Sequence, residues 1–282
     1  MTVTTKVAVP ESASLVANAT TFLFVPGDRH DRFDKAARAG ADVVVLDLED
    51  AVAREDKPAA RAEVVRWLAA GGRGCVRINA SDDDDHVDDL EALADLEGLT
   101  AVMVPKADLS VDYWDIGRRL KCPVVALVES AVGLDSVRAV AADPNVSRIA
   151  FGHLDYALDL GCEPARTAML HARSELVLAS RLAGKPGPVD GVTAALDDSV
   201  ALAEDLRHAI EVGMRGKLLI HPSQIAACRA AFLPTEIEID RSRAIVRAAE
   251  TGAAVRVDGF MVDAPVIARA RAVLRAAGLS GN

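Results

Sequence analysis

The chain has 282 residues, 51% of them hydrophobic, with 32 Lys and Arg against 42 Asp and Glu for a formal net charge of -10. That length is long for one ordinary domain and normal for a single α/β barrel. The acidity excludes sequence-independent nucleic-acid binding, which depends on Lys and Arg neutralising phosphates. Cys75, Cys122, Cys162 and Cys228 lie far apart with no CxxC pair, which argues against a disulfide framework or zinc site and for reduced thiols. The opening "MTVTTKVAVPESASLVANAT" lacks the charged start and apolar core of a signal peptide, and no apolar run approaches a membrane span. The expectation is a soluble cytoplasmic protein with no membrane or nucleic-acid partner.

In chain order, eight short apolar runs read as strands: Thr21–Pro26, Asp42–Glu49, Gly74–Asn79, Thr100–Lys106, Pro123–Glu129, Ser147–Gly152, Pro188–Thr193 and Lys217–Pro222. They are near-continuous rather than alternating, as parallel strands buried on both faces are. The segments between them, such as "RHDRFDKAARAG" and "LDDSVALAEDLRHAIEVG", are Ala-rich, amphipathic and end at glycine, as helices do. This repetition predicts a (β/α)8 TIM barrel over residues 1–225. The alternative is a doubly wound open sheet, but no glycine-rich fingerprint follows the first strand. Beyond it, residues 226–282 read as helices joined by a short extended piece. We expect a C-terminal extension of the same structural domain, serving as a brace or a lid.

Active sites of such barrels form at the C-terminal ends of the strands. Those ends carry Pro26-Gly27-Asp28-Arg29, Asp47, Glu49 and Asp50, Arg77 and Asn79, Lys106, Glu129, His153 and Asp155, Asp190, and His221. One polar strand end is adequately explained by solvation. So many carboxylates converging on one mouth repel each other unless a cation lies among them. Oxygen ligands with few His and no Cys select a hard cation such as Mg2+. By position Glu129 and Asp155 are the expected metal ligands. Asp47, Glu49 and Asp50 fall behind them, orienting waters or basic residues. Arg77 and Arg29 bring positive charge to the same rim. Arg77 either forks onto a substrate carboxylate or pairs with Glu49 or Asp47.

At these residues the chain resembles a known family. "FLFVPGDRHDRFDKAARAGADVVVLDLEDAV", "VRIN", "MVPKAD", "VVALVESAVGL", "IAFGHLDYALDLG" and "GKLLIHPSQI" are similar, in order, to the citrate lyase beta-subunit-like (CitE-like) proteins of the HpcH/HpaI aldolase superfamily. Malyl-CoA and citramalyl-CoA lyases look similar. The resemblance implies a Mg2+-dependent TIM-barrel enzyme, a homotrimer or homohexamer, that makes or breaks a C–C bond in short acyl-CoA thioesters. It further implies that Glu129 and Asp155 hold the metal and that Arg77 binds a substrate carboxylate. Pro26, Gly27, Asp28 and Arg29, with His221–Gln224, would lie on the CoA side. Asp263, in "GFMVDAPV", would act as acid/base from a lid over a neighbouring subunit.

The chain departs from the family pattern where Leu154 stands in place of an acid and where His153 and Tyr156 are new. His153 either packs or reshapes the substrate pocket. The run Ser81–His86, "SDDDDH", is expected to be a solvated loop rather than a second cation site. Asp263 precedes Ala264-Pro265, so capping a helix is its structural alternative. Three other functional readings stay open. They are a CoA-independent 2-oxo-acid aldolase, a citrate lyase beta subunit acting on a carrier-bound thioester, and a non-enzymatic scaffold.

Overall fold

The computed structural model describes residues 11–250, 256–257 and 260–279. Met1–Pro10, on which part of the expectation about a leader rests, and Gly259 of the lid motif lie outside the described residues. The chain divides into two compact units, Met1–Cys228 and Arg229–Asn282.

The first unit is a closed barrel of eight parallel strands in sequential order. The strands are β1 (Thr21–Pro26), β2 (Val43–Asp47), β3 (Gly74–Arg77), β4 (Leu99–Val104), β5 (Val124–Val128), β6 (Val146–Phe151), β7 (Val189–Asp190) and β8 (Gly216–Leu219). Closure is direct, with Thr21 of β1 paired to Lys217 of β8. The helices are α1 (Glu11–Asn18), α2 (Phe33–Arg38), α3 (Lys57–Ala69), α4 (Asp85–Leu93), α5 (Tyr113–Leu120), α6 (Ala131–Ala142), α7 (His153–Leu160), α8 (Leu170–Leu182) and α9 (Ser199–Val212), and the division after Cys228 falls within α10 (Gln224–Phe232). The predicted TIM barrel is therefore the fold, and an open doubly wound sheet is excluded. The strand expected over Pro188–Thr193 shortens to two residues, because the chain leaves the ladder for a loop from Gly191 onward.

Side chains alternate across a strand, so every second residue faces the barrel interior. Phe22, Val43, Val45, Cys75, Ala101, Met103, Val125, Leu127, Ala150, Val189 and Leu218 form that interior, with Val16 and Ala19 joining from α1 and its end. The same period carried one step further places Asp47 after Val45, Arg77 after Cys75, Glu129 after Leu127 and Gly152 after Ala150 on the inward face at the mouth. The buried apolar strand thus serves to aim a carboxylate into the barrel. Among the described residues no helix is long and apolar enough to cross a membrane.

The second unit holds α11 (Glu236–Glu250), the antiparallel pair β9 (Arg256–Val257) and β10 (Phe260–Met261), and α12 (Ala264–Ala276). Its core is Ile239, Ile245, Val246, Ala270 and Leu274. Thr235 and Glu238 form a reciprocal capping box at the start of α11, with Glu238 N–H donating to Thr235 Oγ1 (3.2 Å) and Thr235 N–H to Glu238 Oε2 (2.8 Å).

Candidate active site

A cavity of about 380 Å3 opens at the C-terminal end of the barrel. Pro26, Asp47, Asp50, Arg77, Glu129, His153 and Asp155, all predicted from sequence, line it.

Asp47 and Arg77 are register partners on adjacent strands. Arg77 Nε donates to Asp47 Oδ1 (2.7 Å) and Nη2 to Oδ2 (2.6 Å). Asp47 is fixed in turn by the loop it opens, accepting from Glu49 N–H (3.0 Å) and Ala51 N–H (3.3 Å). The ion pair left open in the sequence for Arg77 is present, and one edge of its fork is spent on it. Its remaining nitrogen, Nη1, lies 2.9 Å from Glu49 Oε2 and 3.6 Å from Asp50 Oδ2. The guanidinium stacks over Phe24, 5.0 Å from the ring centroid. Burial opposes its charge, but the Asp47 hydrogen bonds and surrounding carboxylates outweigh that and hold its pKa above the ordinary value.

The carboxylates are not all equal. Glu49 is 5% exposed and Asp50, its neighbour, is exposed. Glu49 Oε2, though near Arg77, is not aligned for a hydrogen bond. Burial, offset in part by Arg77 and reinforced by Asp50 and Glu129, pushes the Glu49 carboxyl up to about 8.

Glu129 sits between the last residue of β5 and Ser130, whose hydroxyl caps α6 by accepting from Gly133 N–H (3.0 Å). Its Oε1 accepts from the backbone N–H of Lys106 (2.7 Å), and Lys106 holds the left-handed φ of 46° that aims this donor. Its Oε2 is buried with no hydrogen-bond partner among the described residues. A Cβ on Gly152 would stand 2.5 Å from that oxygen, so only glycine leaves it room. Burial, with repulsion from Asp155 and Asp50, raises the Glu129 carboxyl to about 7. Asp155, itself exposed in the first turn of α7, is also raised, by burial and by Asp50. Two acids held this way, one with an orphaned oxygen, fit a divalent cation that would take both.

His153, the first residue of α7, is 8% exposed. Desolvation lowers its pKa to about 4, against the pull of Asp190. Behind it Asp190 is buried between Arg173 (2.7 Å) and Lys217 (3.3 Å), and their charges outweigh burial to keep its carboxyl low.

Not every predicted residue lies in this cavity. Asp28 is exposed, and Gly27 donates its N–H to Asp47 O (2.7 Å). Arg29 pairs with Asp31 (3.1 Å) in an adjacent groove of about 440 Å3, which Arg32, Lys35 and His221 also line. Groove and cavity share Phe24, Pro26 and Ile220. Asp263 is exposed in the second unit, where it caps α12 by accepting from Val266 N–H (3.1 Å).

The run Ser81–His86 is more ordered than a solvated loop. Lys57 lies 3.8 Å from Asp83, Arg54 3.0 Å from Asp84, and Arg61 pairs with Asp85, the first residue of α4. Sequence reasoning missed this layer. Arg61 also donates to buried Asp89 (2.6 Å), whose other oxygen accepts from Asn79 N–H (2.8 Å) and Nδ2 (2.7 Å). The helical spacing of Lys57 and Arg61 on α3, four residues apart like Asp85 and Asp89 on α4, was the available signal.

Residues 20–222 match the family model described as HpcH/HpaI aldolase/citrate lyase. The citrate lyase subunit beta-like protein of Mycobacterium tuberculosis is 38% identical over 274 residues, covering 94% of this chain and 98% of the relative. The (3S)-malyl-CoA thioesterase of Cereibacter sphaeroides is 33% identical, covering 89% of this chain and 92% of the relative. Among solved structures, CitE from M. tuberculosis in complex with magnesium, acetoacetate and coenzyme A superposes with a TM-score of 0.83 at 37% identity, covering 93% of this chain and 99% of that one.

Proposed function

The chain belongs to the HpcH/HpaI aldolase/citrate lyase family, and on that premise we propose that it is a Mg2+-dependent carbon–carbon lyase. Its substrate would be a short β-hydroxyacyl-CoA, cleaved to an oxo acid and an acyl-CoA or formed from them by Claisen-type condensation. What supports this most is one cavity that Glu129 and Asp155, which have no ion-pair partner among the described residues, line together with a locked Arg77. The M. tuberculosis structure with magnesium, acetoacetate and coenzyme A lends the same direction.

In this reading Glu129 and Asp155 would hold the cation, Glu129 through the oxygen that Lys106 leaves free. Magnesium would supply Lewis-acid stabilisation of negative charge on substrate oxygens. Arg77 turns Nη1 toward the oxo-acid carboxylate, while Asp47 fixes its plane so that little ordering remains on binding. The basic groove beside Arg29, Arg32, Lys35 and His221 takes the phosphates of CoA, and its shared lining leads the thioester arm into the cavity. Phe24, Leu127 and Leu218 keep water from the reacting carbons. Asp263 exchanges a proton with the acyl carbon, reaching a neighbouring subunit of a homotrimer or homohexamer. Asp263→Asn keeps the helix cap and removes the proton role, so a stable protein with little turnover is expected. Full turnover would leave Asp263 a cap only.

The test is incubation with Mg2+ and a panel of β-hydroxyacyl-CoAs, with the free hydroxy acids alongside. Release of an oxo acid from a thioester, lost on chelation, is expected. Cleavage of the free acids alone would make the protein a CoA-independent aldolase. Release of free CoA thiol without an oxo acid would favour the thioesterase chemistry named for the C. sphaeroides relative.

A further inference from the structure

We propose that His153 donates a hydrogen bond from Nε2 to the thioester carbonyl oxygen of the bound acyl-CoA. This inference rests on the acyl-CoA reading above. The cavity is lined by charged side chains, Asp47, Asp50, Arg77, Glu129 and Asp155, and by apolar ones that include Phe24, Leu127, Val192 and Leu218. His153 is the one uncharged polar side chain among the described residues lining it.

The orientation of the ring follows from its packing. Nδ1 points at Gly191 so closely that a Cβ there would stand 2.0 Å away, and only a glycine lets the imidazole sit in that place. The ring is tilted against Phe151, centroids 6.1 Å apart, and the residue as a whole is buried. Nδ1 is buried and makes no hydrogen bond among the described residues. A neutral imidazole carries one proton. A buried N–H without an acceptor is the rarer and costlier fault, so the proton belongs on Nε2 and the bare nitrogen faces Gly191. Nε2, on the ring edge turned away from Gly191, is therefore a donor for whatever enters the cavity.

The choice of ligand atom follows by matching groups. Glu129, Asp155 and Arg77 already answer the oxygens of the oxo acid. The reacting pair has one more oxygen on which charge develops, the thioester carbonyl as its α-carbon loses a proton. Among the described side chains lining the cavity His153 is the remaining uncommitted donor, and it stands two residues from Asp155 in the same first turn of α7.

Titration calorimetry with acetyl-CoA and with its thioether analogue ethyl-CoA, which lacks the carbonyl, tests this on the intact protein. The proteins compared are the wild type, His153→Phe, which keeps a ring of similar size without the donor, and His153→Gln, which keeps a donor. His153→Phe is expected to bind acetyl-CoA roughly threefold to tenfold more weakly, the range of one net hydrogen bond. His153→Gln should recover most of that loss, and all three proteins should bind ethyl-CoA alike. Equal acetyl-CoA affinity in all three proteins, or an equal loss toward both ligands in His153→Phe, would show that the ring only fills space. Where the wild type binds neither CoA compound, the acyl-CoA reading fails and takes this inference with it. Where it binds both but the variants do not differ, only this inference fails.

Discussion

Two arginines of the barrel each stack over a phenylalanine of β1, and they are held in opposite ways. At the floor, Arg148 lies over Phe22, 5.6 Å from the centroid, and donates to four backbone carbonyls: Gly187 (3.0 Å), Val16 (2.7 Å), Ala19 (2.6 Å) and Arg215 (2.8 Å). Its charge meets dipoles, with no carboxylate at ion-pair distance among the described residues, and burial, only partly offset by Asp42, drags its pKa down to about 10. At the mouth, Arg77 lies over Phe24 among three carboxylates, and Glu49, Glu129 and His153 each keep a buried atom without a hydrogen bond. Buried polar groups are mostly hydrogen-bonded, as Arg148 is at the floor. The mouth gathers several orphaned atoms in one place, and it is also the end at which barrel chemistry is built.

The contrast breaks most visibly at the floor. Arg148→Met should cost about 3–5 kcal/mol of stability, because four carbonyls of α1 and the strand entries lose their donor. Chemical denaturation is expected to show that loss, while kcat per folded molecule stays close to that of the parent. Arg77→Lys should do the reverse. It keeps the charge but loses the planar fork, so kcat/KM should fall on the order of tenfold to a thousandfold, or ~1.4–4 kcal/mol. An unchanged value would make Arg77 a structural twin of Arg148.

A smaller effect sharpens the same comparison. The Glu129 and Glu49 carboxyls titrate at about 7 and about 8 in the folded protein, whereas in the unfolded chain both are ionised well below that. The folded state therefore binds more protons, and its stability falls as pH rises through this window. Without divalent cations, Tm should drop by a few degrees between about pH 6.5 and pH 8.5. Saturating Mg2+ should flatten that slope, since it stabilises the charged forms. A cation-free Tm that rises over this range would refute the assignment.

The mouth was legible because its chemistry continues a pattern. Val43, Val45 and then Asp47, or Val125, Leu127 and then Glu129, run along one face at period two, and a sequence displays that directly. Arg148 was not legible as a keystone. Inside "SRIAFG" it reads as a polar residue near a strand start, and its partners are backbone carbonyls of Val16 and Ala19, 132 and 129 residues away, which carry no side-chain signature. The different fates of Glu49 and Asp50 were likewise hidden. Both follow Asp47, and only the turn that Asp47 organises through Glu49 and Ala51 N–H buries one and exposes the other. The acid run after β3 misled because its counter-charges, Arg54, Lys57 and Arg61, lie a full βα unit earlier.

Magnesium titration calorimetry on the wild type, Glu129→Ala and Asp155→Ala, with thermal melts on the same samples, tests the central assignment most directly. The wild type should bind one ion per chain, and both variants should melt as cooperatively as the parent. In each variant the binding heat and the Mg2+-dependent turnover should disappear together. Magnesium binding that survives in both variants would place the cation elsewhere and contradict the account of the mouth.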